Sequence, residues 1–408
     1  MEFEYSHKVR ALQDRVTSFI QELVLPAESA VHEHHDSNPQ AWGPPPIMED
    51  LKLEAKRRDL WNLFLPEDDR GAGLSNLEYA PIAELTGWSP SLAPEALNCS
   101  APDTGNMELL SRFGTPEQQE NWLKPLLAGE IRSIFSMTEP EVASSDANNV
   151  SLRIDDAGDE WVLNGRKWWS TGALRPDAKL ALVMGVTDPD APLAKRHSLV
   201  LVPYGTPGFN IVRSTTVFGF QDRHEGGHAI IDYTDVRIPK ENLLGERGSG
   251  FAVAQARLGP GRIHHCMRLI GMAERAIAMM TARAQHRVAF GVPLADQGVI
   301  QSWVADARIQ VNSARLTVLH AAWRMDTVGN KAARHDVSAA KILVPQVVRD
   351  VVDRGIQVFG GAGVSQDYIL SYLYATARFL QIADGPDEVH RRSIARAELK
   401  ASPLFEVM

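Results

Sequence analysis

The chain has 408 residues, 44% of them hydrophobic and 23% charged, which places it among globular proteins and excludes a disordered one. Its formal net charge is −9, with basic residues spread along the chain. That argues against nucleic acid, which needs a dense basic surface, but leaves room for a local basic pocket around one phosphorylated ligand. Two cysteines, Cys99 and Cys266, with no CxxC spacing, argue against a disulfide framework or a zinc site and fit a reducing compartment.

The length predicts two or three domains. From about residue 6 to 130 the apolar spacing is helical. Val9, Leu12, Val16 and Ile20 form one face, Pro66 and the Gly71-Ala72-Gly73 turn interrupt it, and helical spacing resumes near Leu77. Thr115-Pro116-Glu117-Gln118 reads as an N-cap, a first-turn proline and an acidic first turn. From about 131 to 245 the pattern turns to strands. Asn164-Gly165, between aromatic-rich runs, predicts a primed hairpin turn. Leu180–Met184 and Leu199–Val202 are continuous apolar runs of the buried-strand kind, and Ala229–Tyr233 is a further strand. After Gly250 the helical period returns. Ile263, Met267, Ile270, Ala273 and Ile277 share a face, as do Val304, Ala307, Val311 and Val318. Val344, Val348, Val351 and Val358 continue the pattern, with Pro345 expected at a kink or first turn. Three long helices and a fourth from about 366 to 380 predict an antiparallel bundle.

The segment starting at Met1 is acidic and has neither a signal-peptide nor a transit-peptide pattern, and Phe405–Met408 carries no targeting tripeptide. No apolar run approaches the roughly 20 residues of a membrane span. The expectation is therefore a cytoplasmic protein.

Asp384 stands between an apolar helical run and Gly385. A carboxylate at such a junction, followed by a flexible glycine, can point into a cleft and take a proton; the commoner role of such an aspartate is to cap a helix.

Five segments, in order, resemble the acyl-CoA dehydrogenase family over nearly the whole chain. They are Met137-Thr138-Glu139-Pro140 with Ser145-Asp146, Asn164 to Gly172, Arg287 with Phe290-Gly291, Gln357 to Gly363, and Asp384-Gly385. Further phrases, Pro102 to Glu108, Leu258 to Cys266 and Ala383 to His390, resemble the subfamily whose animal members carry a fused kinase-like domain, with no such domain expected here. The resemblance implies an α+β protein with an N-terminal α-helical domain (1–130), a middle β-sandwich or barrel domain (131–245) and a C-terminal four-helix bundle (246–408). It implies FAD as cofactor, a homodimer or homotetramer, and electron-transfer flavoprotein as redox partner. The reaction implied is α,β-dehydrogenation of an acyl-CoA thioester to the trans-2-enoyl-CoA, on a long, branched, or 4-hydroxy or 4-phospho acyl chain.

In that reading Asp384 removes the α-proton while hydride passes to flavin N5, and burial beside the acyl chain raises its pKa. The family mostly has Glu here, one methylene longer. The alternative base position on the first bundle helix is Gly261, so Asp387 and Glu388 are the rival carboxylates. The resemblance places Trp169 against the flavin ring, Thr171 at N5, and Met137 and Thr138 beside the ring. Ser145 would touch flavin or CoA phosphate; a one-residue insertion leaves Ser144 as its alternative on the substrate. Arg262 and Gly385 complete the substrate set. Arg287, with a planar fork suited to pyrophosphate, Phe290, Gln357, Gly360 and Gly361 would serve the flavin of a neighbouring subunit. Pro386 and Glu388 depart from the family's usual Thr and Gln. Arg223 or His224 is expected either to meet a polar or phosphorylated part of the substrate or to lie in a solvated loop. Adjacent His264 and His265 point about 100° apart on a helix, which argues against a shared metal, so no metal site is expected. A flavin oxidase or monooxygenase on the same scaffold, or a catalytically silent scaffold subunit, are the competing readings; the retained Asp384, Trp169, Thr171 and Arg287 favour the dehydrogenase.

Overall fold

A computed structural model describes residues 4–65 and 70–400. Pro66, residues 1–3 and the segment 405–408 lie outside them. The described chain forms two compact units. One gathers the residues up to Val9, Ser75–Pro90 and those from Arg262 onward; the other comprises Arg10–Leu74 and Ser91–Gly261.

In chain order the helices are α1 (His7–Phe19), α2 (Glu28–Ser37), α3 (Ile47–Arg57), α4 (Asn76–Thr86), α5 (Ala93–Ala96), α6 (Asp103–Phe113), α7 (Pro116–Gln118) and α8 (Lys124–Ala128). After the sheet come α9 (Gly250–His286), α10 (Gly298–Ala332), α11 (Arg334–Phe359), α12 (Leu370–Phe379) and α13 (Asp387–Glu398). Val9, Leu12, Val16 and Ile20 are all buried, as the period requires. Thr115 caps α7 as expected: its hydroxyl accepts from Gln118 N at 3.2 Å, and the Gln118 side chain returns a bond from Thr115 N at 3.1 Å.

The second unit carries eight strands: β1 (Arg132–Ser136), β2 (Arg153–Asp156), β3 (Glu160–Thr171), β4 (Ala178–Val186), β5 (His197–Pro203), β6 (Phe209–Thr215), β7 (His228–Pro239) and β8 (Leu243–Leu244). They pair in the order β6-β7-β3-β2-β4-β5-β8, with β1 parallel to β4. The apolar runs of β4 and β5 are essentially without exposure. The sheet curls so that Val183, Val200, Ile231, Tyr233 and Leu163 share one core. Phe209 of β6 meets Tyr204, just beyond β5, at 4.9 Å, although those strands lie towards opposite ends of the order. Each such buried aliphatic side chain contributes about 1.5–3 kcal/mol.

The expected hairpin at Asn164-Gly165 does not form. β3 runs straight through it and pairs with β7 along its length. The register shifts between Leu163 and Gly165, and a Cβ on Gly165 (φ +150°) would stand 3.0 Å from Leu152 Cα. Asn164 Oδ1 accepts from Asp235 N at 2.9 Å. Asn-Gly here marks a bulge, because partners on both sides of β3 hold its backbone extended.

A buried network also holds this unit together. Glu95 accepts from Arg175 at 2.7 and 2.9 Å and lies 3.4 Å from Arg132 and 3.3 Å from Lys52. Burial opposes the Glu95 charge, but Arg175 and Arg132 outweigh it and hold the carboxyl far below its usual range.

In the first unit, α9 to α13 pack with α4. The faces read from the sequence are those buried: Ile263, Met267, Ile270, Ala273 and Ile277 on α9, and Ala307, Val311 and Val318 on α10, with Val304 half-buried. Pro345 is not in a first turn. It lies buried inside α11, which continues to Phe359. The interruption falls in α10 instead, at Gly329, with φ +79°. The end of α4 and the middle of α9 touch through glycines: a Cβ on Gly271 would fall 1.8 Å from Glu84 O, and one on Gly87 2.0 Å from Arg268 O.

Among the described residues no helix is long and apolar enough to cross a membrane. Cys99 and Cys266 are both buried, and neither is in a disulfide.

Candidate active site

Met137, Thr138, Trp169 and Thr171 are brought together in the sheet unit by the way β1 leaves the sheet beside β3. The Thr138 carbonyl accepts from Trp168 N at 2.8 Å, and the Met137 carbonyl accepts from Lys167 Nζ at 3.0 Å. Lys167 is buried, which lowers its pKa to about 8, and its partner Glu139 at 2.8 Å offsets part of that. Glu139 is anchored in turn by Ser151 and Leu152. Between Lys167 and Ser170 the β3–β7 register shifts again, and Trp169 takes a left-handed φ of +58°. The slip lifts the Trp168–Trp169 pair out of the ladder, with ring centroids 5.6 Å apart. The Trp168 indole N–H is buried with no acceptor among the described residues. A buried donor of this kind is costly unless a ligand supplies the acceptor, so the group suits a planar, polar-edged cofactor.

Ser144 and Ser145 differ. Ser144 Oγ accepts from Glu139 N at 2.9 Å, so it is part of the turn, whereas Ser145 is exposed. His224 is buried, not solvated; Arg223 holds Gln221 and lies 6.0 Å from the Trp42 ring centroid.

In the bundle unit, Asp384 lies in the link between α12 and α13 with a left-handed φ of +56°. Such a backbone is strained for a non-glycine residue by about 1–2 kcal/mol and persists only where surroundings impose it. Arg262 imposes it here, donating from Nε to the Asp384 carbonyl at 2.8 Å. The Asp384 side chain keeps about a fifth of its surface, and its Oδ2 lies 3.5 Å from His265 Nε2. Gly385 follows at φ +103°, where a Cβ would come within 3.1 Å of His390 Nε2. The rival carboxylates have other roles. Asp387 is buried and accepts from Gln346 at 2.8 Å, and Glu388 faces solvent beside Arg391. His264 turns away from His265: it is buried edge-on against Tyr79 at 5.0 Å, and burial pushes its pKa down to about 3.

The remaining cofactor candidates lie at one end of the bundle and are exposed. After α9, Val288–Ala289 (β9) and Val292–Pro293 (β10) pair as a hairpin. Phe290 (φ +54°) and Gly291 (φ +83°) form its two-residue turn, the conformation of a primed turn. The Phe290 side chain is fully exposed, at 101%. Arg287 precedes it. Gln357, Gly360 and Gly361 lie at the end of α11, and Arg283 over the Phe359 ring, at 5.3 Å, ties that end to α9. Nothing stands within 4 Å of where a Cβ on Gly360 or Gly361 would be.

Sequence reading did not pick out His265, His228 or Asp222 as partners of this chemistry. Arg262 and His265 at i and i+3 share a helix face, a usable signal. His228 and Asp222 have no local signal, because their connection to Thr171 runs across strands.

The three family patterns described as acyl-CoA dehydrogenase N-terminal, middle and C-terminal domain match residues 6–130, 134–230 and 248–399. The protein named as probable acyl-CoA dehydrogenase FadE2 of Mycobacterium tuberculosis is 57% identical, over 98% of this chain and 97% of its own length. Human acyl-CoA dehydrogenase family member 11 is 47% identical over 98% of this chain, which spans about half (51%) of that relative. A solved Mycobacterium abscessus structure carried under the same family name superposes with a TM-score of 0.94 at 49% identity, covering 97% of this chain and 99% of its own. The fold and the site thus define an oxidoreductase of α+β architecture, with a helical N-terminal, a β-sheet middle and a helical C-terminal domain. The chain belongs to the acyl-CoA dehydrogenase family.

Proposed function

We propose that the protein is a FAD-dependent acyl-CoA dehydrogenase in which Asp384 takes the α-proton of the thioester. The observation that carries this is the setting of Asp384. Its carbonyl is clamped by Arg262, its backbone is held left-handed, and its carboxylate is left partly open with His265 alongside. Positioning of this kind is what a general base requires before its pKa matters. The buried Trp168 donor without an acceptor supports the cofactor, which Met137, Thr138, Trp169 and Thr171 would hold, with Ser145 on a phosphate. When bound, FAD supplies the acceptor for the β-hydrogen and its two electrons. Gly385 lets the chain pass close to the thioester, and Arg262 fixes the peptide that carries the base.

Arg287, Phe290, Gln357, Gly360 and Gly361 would reach the flavin of a second copy, making a homodimer or homotetramer; a fully exposed phenylalanine on a rigid hairpin tip supports this, being costly to leave in water. Electrons would then pass to an electron-transfer flavoprotein, and the acyl chain would be long, branched or oxygenated at C4. The domain limits fitting this reading are 1–130, 131–245 and 246–408, in a cytoplasmic enzyme.

Anaerobic titration with a panel of acyl-CoAs, followed by flavin absorbance, tests it. The parent protein bleaches and Asp384→Asn does not, with at least a 100-fold slower reduction, the usual contribution of a general base. Bleaching at the parent rate in Asp384→Asn would move the base to Asp387 or Glu388. A purified protein without flavin would end the reading.

A further inference from the structure

Behind Thr171 stands a hydrogen-bond chain that the dehydrogenation chemistry above does not use. Thr171 Oγ1 lies 2.9 Å from His228 Nδ1, and His228 Nε2 lies 2.9 Å from Asp222 Oδ2. The histidine and carboxylate side chains are 4% and 9% exposed. The geometry is imposed by the backbone. His228 opens β7 opposite Thr171 on β3, and its N–H donates to Ser214 Oγ on β6 at 3.1 Å. Asp222 is held left-handed at φ +49°, with its carbonyl accepting from Glu225 N and Gly227 N, both at 3.0 Å. The Trp169 ring lies 5.4 Å from the imidazole. Asp222 Oδ1 is buried with no hydrogen-bond partner among the described residues, and Oδ2 is the atom that meets His228.

The chain has a direction that depends on one proton. An ionised Asp222 can only accept, so Nε2 of His228 carries hydrogen in either charge state. In neutral His228, Nδ1 is then an acceptor and takes the single hydrogen of the Thr171 hydroxyl. In protonated His228, Nδ1 donates to Thr171 Oγ1, and the Thr171 hydrogen is freed to point away from the histidine. We propose that Asp222 and His228 are positioning residues that couple proton uptake from solvent at His228 to the outward turn of the Thr171 hydroxyl, and thereby favour negative charge on the flavin beside it. This rests on the FAD reading above. The other groups facing His228 are Ser214 and Thr215 of β6, Trp169 of β3, and His224 and Glu225 of the 222–228 turn. Glu225 is kept toward its neutral form by burial. Asp222 is the carboxylate hydrogen-bonded to the imidazole.

The test is the midpoint potential of the flavin in the purified holoprotein, without substrate, across pH 5.5–8.5. One extra proton taken up per two electrons adds about 30 mV per pH unit to the slope. The parent protein shows that added slope above the pH at which His228 is already protonated in the oxidised form. His228→Gln, which cannot titrate, lacks it and keeps the remaining flavin slope. Asp222→Asn removes the acceptor-only group that keeps hydrogen on Nε2, so the added slope departs from the parent's. Should His228→Gln fold poorly, Asp222→Asn alone decides the matter. An unchanged slope and break in a yellow variant overturns the coupling while leaving the dehydrogenase reading intact. A protein that binds no flavin overturns both.

Discussion

At the scale of single residues, the site is built from groups whose surroundings oppose their preferences. Asp384 and Trp169 both hold left-handed backbones, and Trp168 buries a donor without an acceptor. Glu108 on α6 is a further case. Burial pushes its carboxyl up to about 8, with Arg112 and Arg257 offsetting only part of that. Between pH 4.5 and 8 the unfolded chain releases a proton that the folded chain keeps, so stability falls as pH rises through that window. Glu108→Gln removes this loss. The variant matches the parent at pH 5 and is more stable at pH 8 by about 2–5 kcal/mol, read from denaturant unfolding at the two pH values; equal gaps at both would refute it. The position of Asp384 was legible in the sequence from its helix–loop junction and Gly385. His265 beside it had a signal in its spacing from Arg262 on one helix face, whereas Asp222 and His228, which connect to Thr171, had none, since they meet their partner through the fold rather than through spacing.

At the scale of elements, periodicity located most helices and strands and failed where pairing overrode local preference. Asn164-Gly165 has the composition of a turn but lies between two hydrogen-bonded neighbours, β2 and β7, which keep β3 extended. Pro345 lacks a donor, yet α11 carries it in its buried interior. The glycine contact between α4 and α9 was silent for a different reason: a glycine within a helical pattern looks like a weakness until the opposing backbone is known. With Glu84 O 1.8 Å from the position of a Cβ on Gly271, Gly271→Ala forces the two backbones apart. The expected cost is at least about 3 kcal/mol, at the upper end of overpacking, seen as a lowered Tm, while the exposed Gly298→Ala changes Tm little. A Gly271→Ala protein with parent Tm would contradict the packing.

At the scale of the whole molecule, the grouping of helices was the least legible part. Hydrophobic period shows that a helix has a buried face, not what covers it. Nothing local in residues 75–90 indicates that α4 joins the unit of α9 to α13, rather than the unit that holds α2, α3, α5 and α6.

The Phe290 hairpin carries a consequence for mixed assemblies. If its neighbour Arg287 reaches the cofactor of a second copy, the residues of one working centre are divided between two chains, and two broken chains can repair one another. Arg287→Ala retains an intact Asp384, and Asp384→Asn retains an intact Arg287. Each homo-oligomer alone is inactive. Dissociated, mixed in equal amounts and reassembled at random, half of the dimers are hybrid and one centre in each hybrid is whole, so about a quarter of the parent activity returns. A mixture that stays dead would place both residues on the same chain's centre. Recovered turnover would make the smallest complete enzyme a pair, with inheritance of one defective copy partly masked by another.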